Sequence, residues 1–264
     1  MGKCLTLVGE SADWAVERDL RRQICKIGRR MYERGLVVAC EGNLSARLGL
    51  NRILVTPAGV CKGRLRAGDL LVTDSNGAAL CGAGQPSSEI QMHLLFYHLR
   101  PDVQAVCHAH PPTATGFAAS GRALDEAVLP EVVVSLGKIP LAPYGTPGTW
   151  ELCEGLRSLV TKHDAILLEN HGVVTCGPSL DAAFHRLETV EQFAKILLTA
   201  ESLGGPQLLS TVQVQKLIAA RTRYGVCCPD SAELPLTSEA RIMLTRQELS
   251  SRPQQRNRES RCKR

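Results

Sequence analysis

The apolar positions of this chain fall into two alternating rhythms, one helical and one extended. Over residues 13–35, Leu20, Ile24, Ile27 and Met31 recur on one helical face, with Asp13 placed to cap the start and Gly35 to close the end. Short apolar bursts split by glycine follow at Leu36–Ala39, Leu44–Leu48, Ile53–Thr56 and Leu70–Val72, the last before the turn-forming Asp74-Ser75-Asn76-Gly77. That is strand and hairpin chemistry. Ser87–Arg100 predicts a second helix stopped by Pro101, and Val103–His110 a strand running into Pro111-Pro112, with a helical segment from there through Ala119. Val132–Leu136 and Ile139–Leu141 are expected to be extended, ahead of the stiff loop from Pro143 to Gly148. Trp150–Lys162 predicts a helix, Ala165–Leu168 a strand, Leu180–Gly204 a long helix and Gln213–Gly225 a last one. No internal repeat is visible, and the alternation predicts a sheet covered by helices on both faces.

Composition narrows the field. The chain has 264 residues, enough for one large domain, with 44% apolar and 22% charged residues, ordinary for a globular protein. Aromatics at 4% are too few for the stacking platforms of single-strand nucleic-acid binders. The net charge is +5, and from residue 227 onward eight Lys or Arg stand against five acids. Residues 227–264 therefore read as a polar, basic, poorly ordered tail rather than a nucleic-acid or membrane contact. No apolar stretch approaches membrane-spanning length and the start carries no secretory pattern. Eleven scattered cysteines without a Cys-x-x-Cys argue for reduced thiols in a cytoplasm, most of them core residues, with Cys227, Cys228 and Cys262 as exposed liabilities.

The candidate chemistry is a ligand set. In a strand, residues two apart face the same side, so His108 and His110 can bind one ion together. Glu89 precedes them by nineteen residues, and His171 follows in Asn170-His171-Gly172. Imidazole and carboxylate suit zinc or another divalent ion of the first row. Singly, each has a blander reading: Glu89 as an acid in the first turn of its helix, Ser87-Ser88 as capping residues. The functional reading makes the serine hydroxyls and first-turn amides an anion site, joined by the turns Glu41-Gly42-Asn43 and Thr56-Pro57-Ala58-Gly59. His93 is expected to pair with an acid at the surface, and His98, His163 and His185 to be ordinary polar-face residues.

The ordered run Gly42-Asn43-Leu44-Ser45, Thr56-Pro57-Ala58-Gly59, Pro86-Ser87-Ser88-Glu89, His108-Ala109-His110, Ala142-Pro143-Tyr144 and Asn170-His171-Gly172 resembles the class II aldolase/adducin family, closest to its L-fuculose-phosphate-aldolase-like branch. The resemblance covers about residues 15–226, so residues 1–226 are expected to form one domain. It implies a three-layer α/β/α fold around a mixed, largely antiparallel sheet, and a homotetramer with active sites at subunit interfaces. It also implies zinc (or manganese, cobalt or ferrous iron) held by His108, His110, His171 and Glu89. A substrate phosphate would lie on Gly42, Asn43, Ala58, Gly59, Ser87 and Ser88. Relatives often carry a hydroxyl residue at position 58, so Ala58 implies greater reliance on backbone amides. Where the fuculose-phosphate aldolases have a tyrosine acid, this chain has Glu131, which is similar to the acid/base of methylthioribulose-phosphate dehydratases. The bland alternative makes Glu131 a strand-end salt-bridge partner.

The activity so implied is a metal-dependent aldolase cleaving a short ketose 1-phosphate, such as fuculose, 5-deoxyribulose or methylthioribulose 1-phosphate, to dihydroxyacetone phosphate and an aldehyde. Glu89 and Glu131 would be the catalytic proton carriers. The alternatives on the same scaffold are a dehydratase, a pentulose-phosphate epimerase and a non-enzymatic adducin-like binding protein.

Overall fold

A computed structural model describes residues 4–49, 51–224 and 233–251. Its centre is an eight-stranded sheet in the order β4-β3-β2-β1-β5-β8-β7-β6. The strands are β1 (Asn43–Gly49), β2 (Arg52–Val55), β3 (Leu71–Thr73), β4 (Ala79–Cys81), β5 (Ala105–Ala109), β6 (Leu141–Ala142), β7 (Ala165–Leu168) and β8 (Gly172–Gly177). Every pairing is antiparallel except β6 with β7, so the sheet is mixed and largely antiparallel, as the resemblance implies.

Strand alternation sorts side chains to two helical layers. Leu44, Ala46, Ala105, Cys107, Ala109, Leu167 and Val173 pack towards α1 (Cys4–Glu33), α3 (Pro112–Ala119) and α6 (Leu180–Ser202). Ile53, Val55, Val106, Ile166, Leu168 and Val174 pack towards α2 (Ile90–Leu99) and α5 (Trp150–Val160). The result is a three-layer α/β/α domain. His108 shares parity with Val106, so its ring lies on the α2 side, where Glu89 is.

Several expectations need correction. α1 starts at Cys4, so Asp13 lies inside it rather than at its start; no proline interrupts residues 4–13. Leu36–Ala39 is an irregular turn rather than a strand, with Ala39 at φ 46°. β4 and β8 escaped the sequence reading. Val132–Leu136 is not extended: Pro130–Ser135 forms the short helix α4. Pro130 at the first turn favours the helix. Val132 is buried against the main core, and Val133 against Val214 of α7 (Thr211–Ala219). Strand preferences span only about 1 kcal/mol, whereas burying a valine is worth about 1.5–3 kcal/mol, so packing decides.

Beyond residue 227, where the sequence suggests a tail, Leu236 pairs with Glu126 and Ser238–Ser251 is the helix α8. Of the seven described free cysteines, only Cys107, Cys153 and Cys176 are buried, fewer than expected; Cys227, Cys228 and Cys262 lie outside the described residues. Among the described residues no helix is long and apolar enough to cross a membrane.

Candidate active site

Three backbone devices assemble the histidines. β5 delivers His108 and ends before His110, whose amide donates to Leu36 O at 3.2 Å. β7 and β8 are joined by the three residues 169–171, with Asn170 left-handed at φ 55° and the His171 amide donating to Leu168 O. Asparagine tolerates that conformation better than most residues, and the tight turn holds His171 at the sheet end beside β5. Gly172 must be glycine: a Cβ there would lie 2.5 Å from Ala109 O and 2.6 Å from His110 Cδ2.

The three rings meet with centroids 4.7–4.9 Å apart, and their ligating atoms all lie within 4.8 Å of one another. His108 Nδ1 donates to Val173 O at 3.0 Å, which leaves its Nε2 lone pair facing His110 Nε2 at 3.1 Å. Two imidazole nitrogens so placed require a proton or a cation between them. Glu89 completes the group, Oε2 at 3.3 Å from His108 Nε2 and Oε1 at 3.1 Å from His171 Nε2. Glu89 Oε1 is buried yet makes no hydrogen bond. Close approach without hydrogen-bond alignment is what two ligands of one ion show. A tetrahedral ion about 2.0–2.1 Å from each donor spaces its ligands about 3.4 Å apart, so this donor set fits a divalent cation.

Glu89 is the N-cap residue of α2 rather than a member of its first turn, and its carboxylate makes no cap bond. It is therefore free to face the histidines. Burial works to raise its pKa, but the charges of the adjoining His108 and His171 more than offset that and hold it well below the usual carboxylate range. Burial, then the neighbouring His108 and His171, push His110 down to about 3.

All six residues expected to hold phosphate line one cavity of about 150 Å³, together with Glu89 and His110. Gly42 (φ 69°) is pressed against β5, where a Cβ would lie 2.7 Å from His108 O. That closeness couples the glycine turn to the histidine strand. The Ala58 amide, however, already donates to Gln85 O at 3.0 Å, so it is not an available donor.

Glu131 is not in this group. It is exposed in the first turn of α4 and lines a separate groove with Arg34, His185 and Glu188. His93 is a second correction. It is buried, with Nε2 donating to Asn43 Oδ1 at 2.5 Å and Nδ1 accepting from Ser45 Oγ at 2.6 Å, while Tyr97 OH meets Ser45 Oγ at 2.8 Å. Asn43 Nδ2 in turn donates to Glu89 Oε2 at 2.8 Å and Ser87 Oγ at 3.0 Å. A signal for this chain existed: with Leu44 and Ala46 facing one layer, alternation sends Ser45 to the other. His163 is buried too, its Nδ1 donating to Lys138 O, whereas His98 and His185 are exposed as expected. Lys62 was missed altogether, and Glu41, which contacts His110 Nδ1 at 3.4 Å, was read only as part of a backbone turn.

Residues 22–198 match the family model of the class II aldolase and adducin N-terminal domain. The chain belongs to this family. It is 34% identical to the 3-oxo-tetronate 4-phosphate decarboxylase of Pectobacterium atrosepticum over 193 residues, 72% of this chain and 88% of that protein. It is 37% identical to an L-fuculose phosphate aldolase of Methanococcus maripaludis over 171 residues, 65% of this chain and 92% of that one. A solved L-fuculose 1-phosphate aldolase superposes with a TM-score of 0.72 at 32% identity, covering 77% of this chain and 96% of the other. As a class II aldolase relative with a clustered His108, His110 and His171, the chain carries the metal-dependent scaffold of that family.

Proposed function

We propose that this protein is a metal-dependent carbon–carbon lyase that cleaves a short ketose 1-phosphate to dihydroxyacetone phosphate and an aldehyde. The observation that carries this reading is the cavity that Glu89 and His110 of the ligand set share with the glycine and serine turns. A substrate phosphate there has the turns Gly42-Asn43 and Ala58-Gly59 and the Ser87-Ser88 pair around it. A divalent cation held by His108, His110, His171 and Glu89, with zinc, manganese, cobalt and ferrous iron as candidates, supplies Lewis-acid stabilisation of charge on the substrate carbonyl oxygen.

The chain's own residues then manage protons. As the C3–C4 bond breaks, the C4 hydroxyl must lose its proton to become an aldehyde, and C3 must gain one. Glu89, kept ionised by the histidines while it is in the ligand set, would leave that set when substrate binds, take up a proton and deliver it to C3. Glu131 takes the C4 hydroxyl proton, reaching a neighbouring subunit's cavity in a tetramer.

Decarboxylation of a 3-oxo acid phosphate is the second reading, favoured by the similarity to 3-oxo-tetronate 4-phosphate decarboxylases and by the seat of Glu131 outside its own chain's cavity. Carbon dioxide leaves without surrendering a proton, so Glu89 alone would suffice. Both routes leave an electron pair on the carbon beside the carbonyl, and both give dihydroxyacetone phosphate once it is protonated.

The test offers metal-loaded protein fuculose, 5-deoxyribulose and methylthioribulose 1-phosphates and 3-oxo-tetronate 4-phosphate, with coupled detection of dihydroxyacetone phosphate. Aldehyde release supports the aldolase, and carbon dioxide release the decarboxylase. Chelation should abolish either, and zinc, manganese or cobalt restore it. No dihydroxyacetone phosphate from any of them would sink the lyase reading; loss of water alone would point to a dehydratase.

A further inference from the structure

Lys62 is the unexplained charge of this molecule. It opens the single helical turn Lys62–Arg64 just beyond Gly59 and is 1% exposed. Its ammonium donates to Cys40 O at 2.9 Å and Val60 O at 2.6 Å, carbonyls on the two segments that carry Gly42 and Gly59. An ammonium has three donors, so one remains. Among the described residues no carboxylate pairs with it. Burial pushes its pKa down, opposed only by the thiols of Cys40 and Cys61. A buried charge without a counter-ion is costly to maintain, and a mere tether between two loops needs no charge.

The cavity holds the complementary deficit. Lys62 lines it and is the one lysine or arginine that does, while Glu41 and Glu89 on the same wall disfavour an anion. Ala58 brings no hydroxyl, and its amide is engaged by Gln85 O. The glycine and serine donors therefore lack a charge to offset a phosphate dianion unless Lys62 supplies it.

We propose that Lys62 is the cationic residue of the phosphoryl subsite, joining the Gly42 and Gly59 turns through its two carbonyl bonds and neutralising the substrate phosphate with its remaining donor. This rests on the lyase reading for the identity of the phosphate's bearer, but not for the anion site itself.

Inorganic phosphate is the probe, titrated by calorimetry into metal-loaded protein and its Lys62→Met variant. The expected result is a phosphate Kd at least about tenfold weaker in the variant, the loss of a charge-assisted hydrogen bond, with metal stoichiometry unchanged. Phosphate affinity within about twofold of the parent chain overturns the proposal. Should Lys62→Met fail to fold, a crystal structure of the unaltered protein with phosphate decides. A phosphate oxygen within hydrogen-bond distance of Lys62 Nζ supports the assignment, and phosphate seated without that contact overturns it. The two readings separate cleanly. Loss of phosphate binding in the variant without cleavage of any phosphorylated sugar keeps the subsite and removes the lyase. Sugar-phosphate cleavage with undiminished phosphate affinity in the variant does the reverse.

Discussion

At the scale of single residues, His93 is the group whose role changes most. Through Asn43 it fixes which end of a buried amide faces Glu89, so that Nδ2 donates to the carboxylate and to Ser87. Replacing His93 with leucine leaves Asn43 Oδ1 without its donor, at a cost of about 1–3 kcal/mol, and frees the amide to turn. Groups that orient metal ligands typically contribute about 10–100-fold to metal affinity, and His93→Leu is expected to lose that much in a chelator competition. Metal affinity and urea midpoint both unchanged would refute the bracing role. Acid should act through the same residue. Burial first, then His108, push His93 down to about 3, while in the unfolded chain it titrates near 6.5. Between those values the unfolded state binds the extra proton, so stability falls as pH drops below about 6.5 and is insensitive to this group above it. At about 1.4 kcal/mol per unit, His93 accounts for about 2–3 kcal/mol between pH 7.5 and 4.5. Urea titrations at both pH values should show a shallower pH dependence in His93→Leu than in the parent chain; equal slopes would refute it.

At the scale of elements, the hairpin from β7 to β8 and the end of β5 place the third histidine. Gly172→Ala is the sharpest probe, because its Cβ would press on both the Ala109 carbonyl and the His110 ring. Overpacking of this kind costs about 1–3 kcal/mol, and relief by moving His110 would break the ligand geometry. The variant is expected to lose at least about tenfold in metal affinity; a crystal structure with His110 unmoved and full metal occupancy would contradict this. What the sequence made legible at this scale was periodic. The His-x-His pair needed only the two-residue repeat of a strand, and Leu20, Ile24, Ile27 and Met31 only that of a helix. Val132–Leu136 misled because a β-branched run carries no periodicity of its own, and its helix exists through α6 and α7, elements distant in sequence. Ser45 and His93 were readable separately, but their meeting required β1 to lie beneath α2.

At the scale of the whole molecule, Glu131 and the histidine cluster sit apart in one chain. If neighbouring subunits complete each site, then Glu131→Ala is expected to lower turnover by at least about a hundredfold, as loss of a general acid–base group does, and His108→Ala to lower it at least as much by removing a metal ligand. Mixed and reassembled, the two variants should regain activity, because some interfaces then pair an intact ligand set with an intact Glu131. Activity of the mixture no greater than the sum of its parts, measured by dihydroxyacetone phosphate release, would place Glu131 outside the chemistry.

The sequence by itself determined the candidate ligand residues, the His-x-His spacing, the glycine turns and the family, because these depend on residue chemistry and on spacings within one element. Tertiary structure alone decided that Lys62 is buried beside the turns, that Ala58 has no amide to offer, that His93 braces Asn43, and that Glu131 faces a different groove. Each of those depends on which surfaces meet across tens of residues, and burial, the term that fixes charge and hydrogen bonding there, has no local signature in the chain.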